Sequence, residues 1–312
     1  MTLGTKMKNT IDFSKLHEDL LAVREGRVKE GYKFGHEALD QYLRFKPKNF
    51  NIILGHANVG KTSMTIYLML VLSLKHGIKW LVYSSENEPY SIMKKLIEYY
   101  NGEVLEKLSP MKFETSLLYL QQFFMIMDIS DLLTYKTLLE RAQEVYDEWP
   151  YQGFLIDPYN SLAKDKDALS GLTGHDYDYL AASMMRMFCS KNNVSIWLNT
   201  HAVTEALRRT NKRGQNYEGF PSPPMAADSE GGGKWVNRAS DFLVMHRYSQ
   251  HPTDWMYSHL HVRKVKEMET GGRPTPMEEP VVMRSIAGNV GFLVGGVDLI
   301  KQLRENNEQL TI

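Results

Sequence analysis

The feature that most restricts this chain is the segment Gly55-His56-Ala57-Asn58-Val59-Gly60-Lys61-Thr62, which fits the pattern G-x-x-x-x-G-K-[ST]. It follows an apolar run, Asn51 to Leu54, and opens a helical pattern, Lys61 to His76. Two glycines let the backbone curl until successive N–H groups point at phosphate oxygens, and a helix start adds the positive end of its dipole. Lys61 supplies a cation for the β and γ phosphates, and the Thr62 hydroxyl is a ligand for Mg2+. Residues 55–62, with Ser63 in the first helical turn, are therefore read as the binding site for ATP or another nucleoside triphosphate. The competing reading, a mere glycine turn before a helix, is weakened by the strand and helix that flank it.

The pattern around this loop fixes the fold class. Apolar runs at Lys79 to Ser84, Phe123 to Met127, Gly153 to Ile156 and Val194 to Asn199 read as strands. They alternate with helical patterns at Tyr90 to Tyr100, Leu133 to Glu148 and Tyr177 to Asn192. Such alternation argues for an α/β core, a mostly parallel sheet between layers of helices. Before it, Asp12 to Val28 reads as a short amphipathic helix, so the expected plan is an N-terminal helix in 1–30 and one core in 31–305. Thr204 to Gly233 has no periodicity and is long for a connection inside a core, which points to function. Phe242 to Tyr248, Tyr257 to Val265 and Val281 to Ser285 follow as closing strands.

Composition excludes several classes. Lys+Arg 37 against Asp+Glu 37 leaves a formal net charge of +0, so any contact with nucleic acid must come from local patches. The single cysteine, Cys189, rules out an internal disulfide, and its helical, apolar context makes it core filler. Met1 to Asn9 has no apolar run of the signal-peptide kind, and Met64 to Leu74 is shorter than the roughly 20 residues that span a bilayer. A cytoplasmic location without membrane contact is expected, in a host cytoplasm if the source is viral.

Two carboxylates complete a hydrolytic site. Asp157 ends the strand Gly153 to Ile156, at the edge where such folds bind ligands, and is read as the second Mg2+ group. Glu86, at the end of the strand after the phosphate-loop helix, is the choice for positioning water and taking its proton. Glu88 is its local rival, and either may instead cap the helix near Pro89.

These pieces, in the order Gly55 to Thr62, Ser84-Ser85-Glu86, Asp157, then Leu198-Asn199-Thr200-His201, resemble the superfamily 4 helicases, the DnaB, phage primase-helicase and Twinkle types. The resemblance opens at Gly31 to Asp40 and runs to about Arg273. It includes Gly232 to Asp241 with Arg247, which is similar to the family's glycine-rich element before a late strand, although one residue separates Ala239 from Asp241. The resemblance implies a RecA-like motor with Glu86 as catalytic base and His201 as the group sensing the γ-phosphate. An ordinary hydrogen-bonded histidine is the alternative for His201. It also implies a homo-oligomeric, expected hexameric ring on single-stranded DNA, moving 5′ to 3′. Segments like the family's zinc-binding and primase parts are not found, so a separate primase or loader is expected. The Asp12 to Val28 helix would match the linker that docks on a neighbouring subunit, or else fold back on its own core.

DNA contacts are expected at two loops, Lys164 to Asp178 and the basic run Leu207 to Tyr217, with Arg208, Arg209, Lys212 and Arg213 tracking phosphates. A solvated surface loop is the plain alternative for the second. The family's trans-acting cation lies on a late strand as Lys-x-Arg, matched here by Arg263-Lys264-Val265-Lys266, so Lys266 stands where an arginine is expected and Arg263 or Arg273 are its substitutes. Two other readings of the same residues remain: a recombinase-type ATPase forming filaments on DNA, and a regulatory NTPase that does not act on nucleic acid.

Overall fold

The structure is a computed structural model that describes residues 13–27, 30–128, 130–165, 173–230 and 232–309 of the 312-residue chain. In chain order it holds helices α1 (Phe13–Arg24) and α2 (Glu37–Asp40), strand β1 (Phe50–Gly55), helix α3 (Lys61–His76), β2 (Trp80–Ser84), α4 (Pro89–Asn101) and α5 (Pro110–Leu120). There follow β3 (Phe124–Ile126), α6 (Tyr135–Glu148), β4 (Gly153–Asp157), α7 (Gly174–Asn192), β5 (Ser195–His201) and α8 (Lys234–Arg238). The chain closes with β6 (Asp241–Arg247), β7 (Tyr257–Val265), β8 (Val281–Ser285), β9 (Phe292–Val294) and α9 (Leu299–Gln309).

One sheet takes the strands in the order β3-β2-β4-β5-β1-β6-β7-β8-β9. The six from β3 to β6 run parallel, and β7, β8 and β9 add an antiparallel extension. Every residue of β1, β2 and β4 is buried, as expected for parallel strands covered on both faces. One face packs Met64, Leu68 and Leu72 of α3 and Leu96 of α4 against Trp80, Trp197 and Leu243. The other packs Leu138 of α6 and Met185 and Phe188 of α7 against Leu54, Phe154 and Ile156. The expected α/β sandwich is thus what the residues build.

Register then decides where chemistry gathers. Gly55 of β1 pairs with His201 of β5, and Ser84 of β2 pairs with Asp157 of β4, so four strand ends meet at one edge of the sheet. The segments leaving that edge start helices efficiently. Thr134 caps α6 through the Thr137 N–H, and Thr173 and Asp176 form a reciprocal box at the head of α7.

The structure differs from the sequence expectations in identifiable places. Helix α5, strand β9 and helices α8 and α9 were not foreseen, and β5 runs on to His201 instead of stopping at Asn199. Strict alternation along the Arg263-to-Lys266 run also fails. Phe242 pairs with Lys264 and Leu243 with Val262, so Arg263 is an extra residue in a β-bulge, and Lys266 lies just past the end of β7. Helix α1 occupies Phe13–Arg24, the outer residues 12 and 28 of its expected range lying outside the described residues. Its Phe13, Leu20 and Val23 are exposed. Cys189 is fully buried, and burial pushes its thiol up to about 12, as suits core filler. Among the described residues no helix is long and apolar enough to cross a membrane.

Candidate active site

The loop between β1 and α3 is shaped by two glycines for different reasons. A Cβ on Gly55 would stand 2.7 Å from the Met245 carbonyl oxygen, so the strand end approaches β6 too closely for any side chain. Gly60 has φ +90°, a left-handed conformation that glycine adopts without strain. Asn58, at φ 60°, is a residue type that tolerates the same region. The turn delivers Lys61 to the start of α3, where its buried ammonium donates to the carbonyls of Gly55 at 3.1 Å and His56 at 2.9 Å. Burial pushes this ammonium down to about 8, against the pull of Asp157 and Glu86. A cation held at that cost, beside the unpaired N–H groups of a helix start, fits an anionic phosphate group.

Thr62 and Asp157 meet directly. The Thr62 hydroxyl donates to Asp157 Oδ2 at 2.7 Å, and Asn199 of β5 donates to Oδ1 at 2.7 Å. Asp157 is 1% exposed, and burial raises its carboxyl above the usual range in spite of those two hydrogen bonds and Lys61. Hydroxyl and carboxylate oxygens together form the hard donor set that Mg2+ takes alongside phosphate oxygens. Among the described residues no group of three or more His, Cys, Asp or Glu side chains forms a metal cage, so Mg2+ here would depend on the nucleotide. Bound there, it would neutralise charge on the transferred phosphoryl group.

Glu86 and His201 close the cluster. His201 Nδ1 lies 3.3 Å from the Lys61 ammonium, and His201 Nε2 lies 3.2 Å from Glu86 Oε1. An ammonium only donates, so Nδ1 accepts and the ring proton sits on Nε2, directed at the Glu86 carboxylate. Glu86 is half exposed and so accessible to water. Glu88, its rival, is the N-cap residue of α4 with no side-chain capping bond, and Glu86 is the carboxylate that reaches the cluster. Three contributors were missed in the sequence: Asn199 on Asp157, Lys95 donating to Ser63 Oγ at 3.1 Å, and Asn160 in the turn after β4. Asn199 carried a signal, since it lies two residues before His201 and strand alternation puts both on one face.

The remaining residues lie away from this cluster. Arg208 is exposed at the end of a short 3-10 turn, Thr204–Arg208. Arg209 is bound to the Asp228 carboxylate and opens a small hairpin closed by Ser222 N–H donating to its carbonyl at 2.8 Å. Lys212 and Arg213 stand exposed at the tip of that hairpin, and Tyr217 stacks on Tyr248 with ring centroids 3.8 Å apart. Lys164 contacts Asp178 at 3.7 Å, but most of the first expected DNA loop, 166–172, lies outside the described residues. Arg263 is held by His261 Nδ1 at 3.0 Å and the Met277 carbonyl, and Lys264 donates to the carbonyls of Val236 and Ala239. Lys266 is exposed, and Arg273 bonds Gln41. The hydrogen bonds of these late cations thus lead away from the Lys61–Glu86 cluster of their own chain.

Fold and site together define a RecA-like P-loop NTPase. Within that class the comparisons with known proteins agree with the resemblance read from the sequence. The ATPase domain of a DnaB-like replicative helicase superimposes with a TM-score of 0.71 at 14% identity, covering 92% of this chain and 99% of that one. A DnaB-like replicative helicase described with its interactions with primase gives 0.67 at 14% identity, covering 93% of this chain and 68% of that one. The Twinkle homolog protein, chloroplastic/mitochondrial, of Arabidopsis thaliana is 22% identical over 255 residues, covering 77% of this chain. The match spans 34% of that relative's length, about a third. No family model matches the chain.

Proposed function

We propose that this chain is the motor of an ATP-dependent, ring-forming DNA helicase that moves 5′ to 3′ on single-stranded DNA. The observation that carries the reading is the convergence of Lys61, Thr62, Asp157, Glu86 and His201 at one sheet edge. In this reading Lys61 and the loop N–H groups hold the phosphates, and Thr62 and Asp157 hold Mg2+. Glu86 accepts the proton of the attacking water, and His201 stands where a γ-phosphate would be felt. Among the described residues the cluster contains one cation, Lys61, so charge developing in the transition state calls for a second from a neighbouring subunit. Lys266 is the proposed donor, since it is exposed past a strand end and free of the backbone ties that hold Lys264. The exposed apolar side of α1 supports docking on a neighbour, and the hairpin tip with Lys212 and Arg213 supports a grip on DNA phosphates.

Strand displacement tests the proposal. Forked duplexes with a free 5′ or 3′ tail are incubated with protein, ATP and Mg2+. Unwinding from the 5′-tailed fork, absent in Lys61→Ala, is expected. ATP hydrolysis with no displacement of either fork contradicts the helicase reading, and displacement from the 3′ tail alone contradicts its direction.

A further inference from the structure

Strand β5 ends on His201, and its two neighbours treat that end differently. On the β1 side the ladder extends to Gly55 and His201, but on the β4 side it stops at Ile156 and Leu198 because the chain turns away after Asp157. The backbone N–H of His201 would face that gap without a strand partner. Asn160, three residues past Asp157, fills it: its Oδ1 accepts from the His201 N–H at 2.9 Å and from the Thr200 hydroxyl at 3.0 Å. The other end of the same amide donates to the Glu230 carboxylate. With a donor-only N–H on one side and a carboxylate on the other, the orientation of the amide is determined.

Glu230 belongs to a segment laid along the continuation of β5. Its N–H donates to the His201 carbonyl at 3.2 Å, Ala202 pairs with Ser229, and the Val203 N–H donates to the Asp228 carbonyl at 2.8 Å. The Asp228 side chain then holds Arg209, the first residue of the basic hairpin. An unbroken series of hydrogen bonds therefore runs from His201, whose ring stands between Lys61 and Glu86, to the base of the 209–222 hairpin.

We propose that Asn160 is a positioning residue that fixes where His201 stands and, through Glu230 and Asp228, ties that position to the basic hairpin. It rests on the nucleotide site of the proposed function but not on helicase activity. A γ-phosphate that engages Lys61 and His201 shifts the end of β5. Asn160 and Glu230, bonded to the N–H and the C=O of the same residue, carry that shift to the segment anchoring Arg209. An aspartate at 160 would keep the acceptor for His201 but face Glu230 with a second carboxylate, and an alanine would leave the His201 N–H unpaired.

The test is hydrogen exchange of the 209–222 amides with ADP and with a non-hydrolysable ATP analogue, measured on wild type, Asn160→Ala, Asn160→Asp and Glu230→Gln. In wild type the two nucleotides should give hairpin exchange rates differing by roughly fivefold or more, a common size for coupling between sites. The difference should vanish in Asn160→Ala and Asn160→Asp, while affinity for the analogue stays within about threefold of wild type. Glu230→Gln keeps an acceptor for the Asn160 amide and should behave as wild type. Hairpin exchange that still responds to the γ-phosphate in Asn160→Ala, or that never responds in wild type, overturns the proposal. If Asn160→Ala does not fold, Glu230→Ala cuts the second arm alone and is judged by the same readout. The same wild-type preparation is run on forked duplexes. A nucleotide-dependent hairpin without unwinding defeats the helicase reading and supports the role given to Asn160.

Discussion

Lys61 is charged in a place that disfavours charge, and the consequence differs in sign between stability and ligand binding. Its ammonium is pushed from 10.5 to about 8 by burial in the folded chain. Between those two values the unfolded chain binds more protons than the folded one, so stability without nucleotide rises with pH. The burden of the buried charge is fully present below about 8 and is relieved as the pH approaches the unfolded value. For a shift of this size the gain between about pH 7 and about pH 9 is about 1.4 kcal/mol. Lys61→Met keeps the length of the side chain and removes the titration. Urea denaturation of both proteins at several pH values isolates the term: the wild type should gain that amount relative to the variant. Nucleotide binding runs the other way, because phosphate recognition uses the protonated form, and wild-type ATP affinity should fall about tenfold over the same interval. A stability gap between wild type and Lys61→Met that does not change with pH, together with flat ATP affinity, refutes the buried, phosphate-facing ammonium.

Three further outcomes follow from the site. Glu86→Gln should bind ATP normally and hydrolyse it about 10²–10⁴-fold more slowly, because the amide keeps the shape and cannot take a proton. Single-turnover assays decide this, and a slow Glu88→Gln beside a normal Glu86→Gln would reverse the assignment. Replacing Arg208, Lys212 and Arg213 by Ala should reduce the salt slope of single-strand binding by about 2, three contacts at roughly 0.7 each, with Arg209 left in place because it holds Asp228. An unchanged slope assigns the hairpin to something other than DNA. If Lys266 acts in trans, Lys266→Ala and Lys61→Ala should each be inactive alone, and mixing them should restore part of the turnover. Mixtures as inactive as the parents remove Lys266 from that role.

The phosphate loop, Asp157 and Glu86 were legible because each follows a short apolar strand, and a parallel sheet brings such strand ends to one edge. Helix α3 was legible over its full length, since its residues are apolar on nearly every side and Gly60 and Gly77 bracket it. Strand β9 was not, because three residues, Phe292–Val294, carry no readable period, and α9 is largely polar and exposed beyond Leu299 and Ile300. The bulge at Arg263 escaped because alternation assumes unbroken pairing with β6, and nothing in Arg263-Lys264-Val265-Lys266 signals an extra residue. Asn160 was missed for a related reason: a lone asparagine in a turn gives no hint that the neighbouring strand has lost its partner. The pairing of Arg209 with Asp228 spans 19 residues, and only the folded loop shows which of four cations is already neutralised.

ATP turnover with and without single-stranded DNA tests the central claim most directly, because it asks whether the assembled site and the basic hairpin belong to one machine. The account predicts hydrolysis that requires Mg2+, is lost in Lys61→Ala, and rises when single-stranded DNA is added. Turnover that is indifferent to DNA at every protein concentration, from a chain that still binds ATP, would contradict it and point to an NTPase switch built on the same fold.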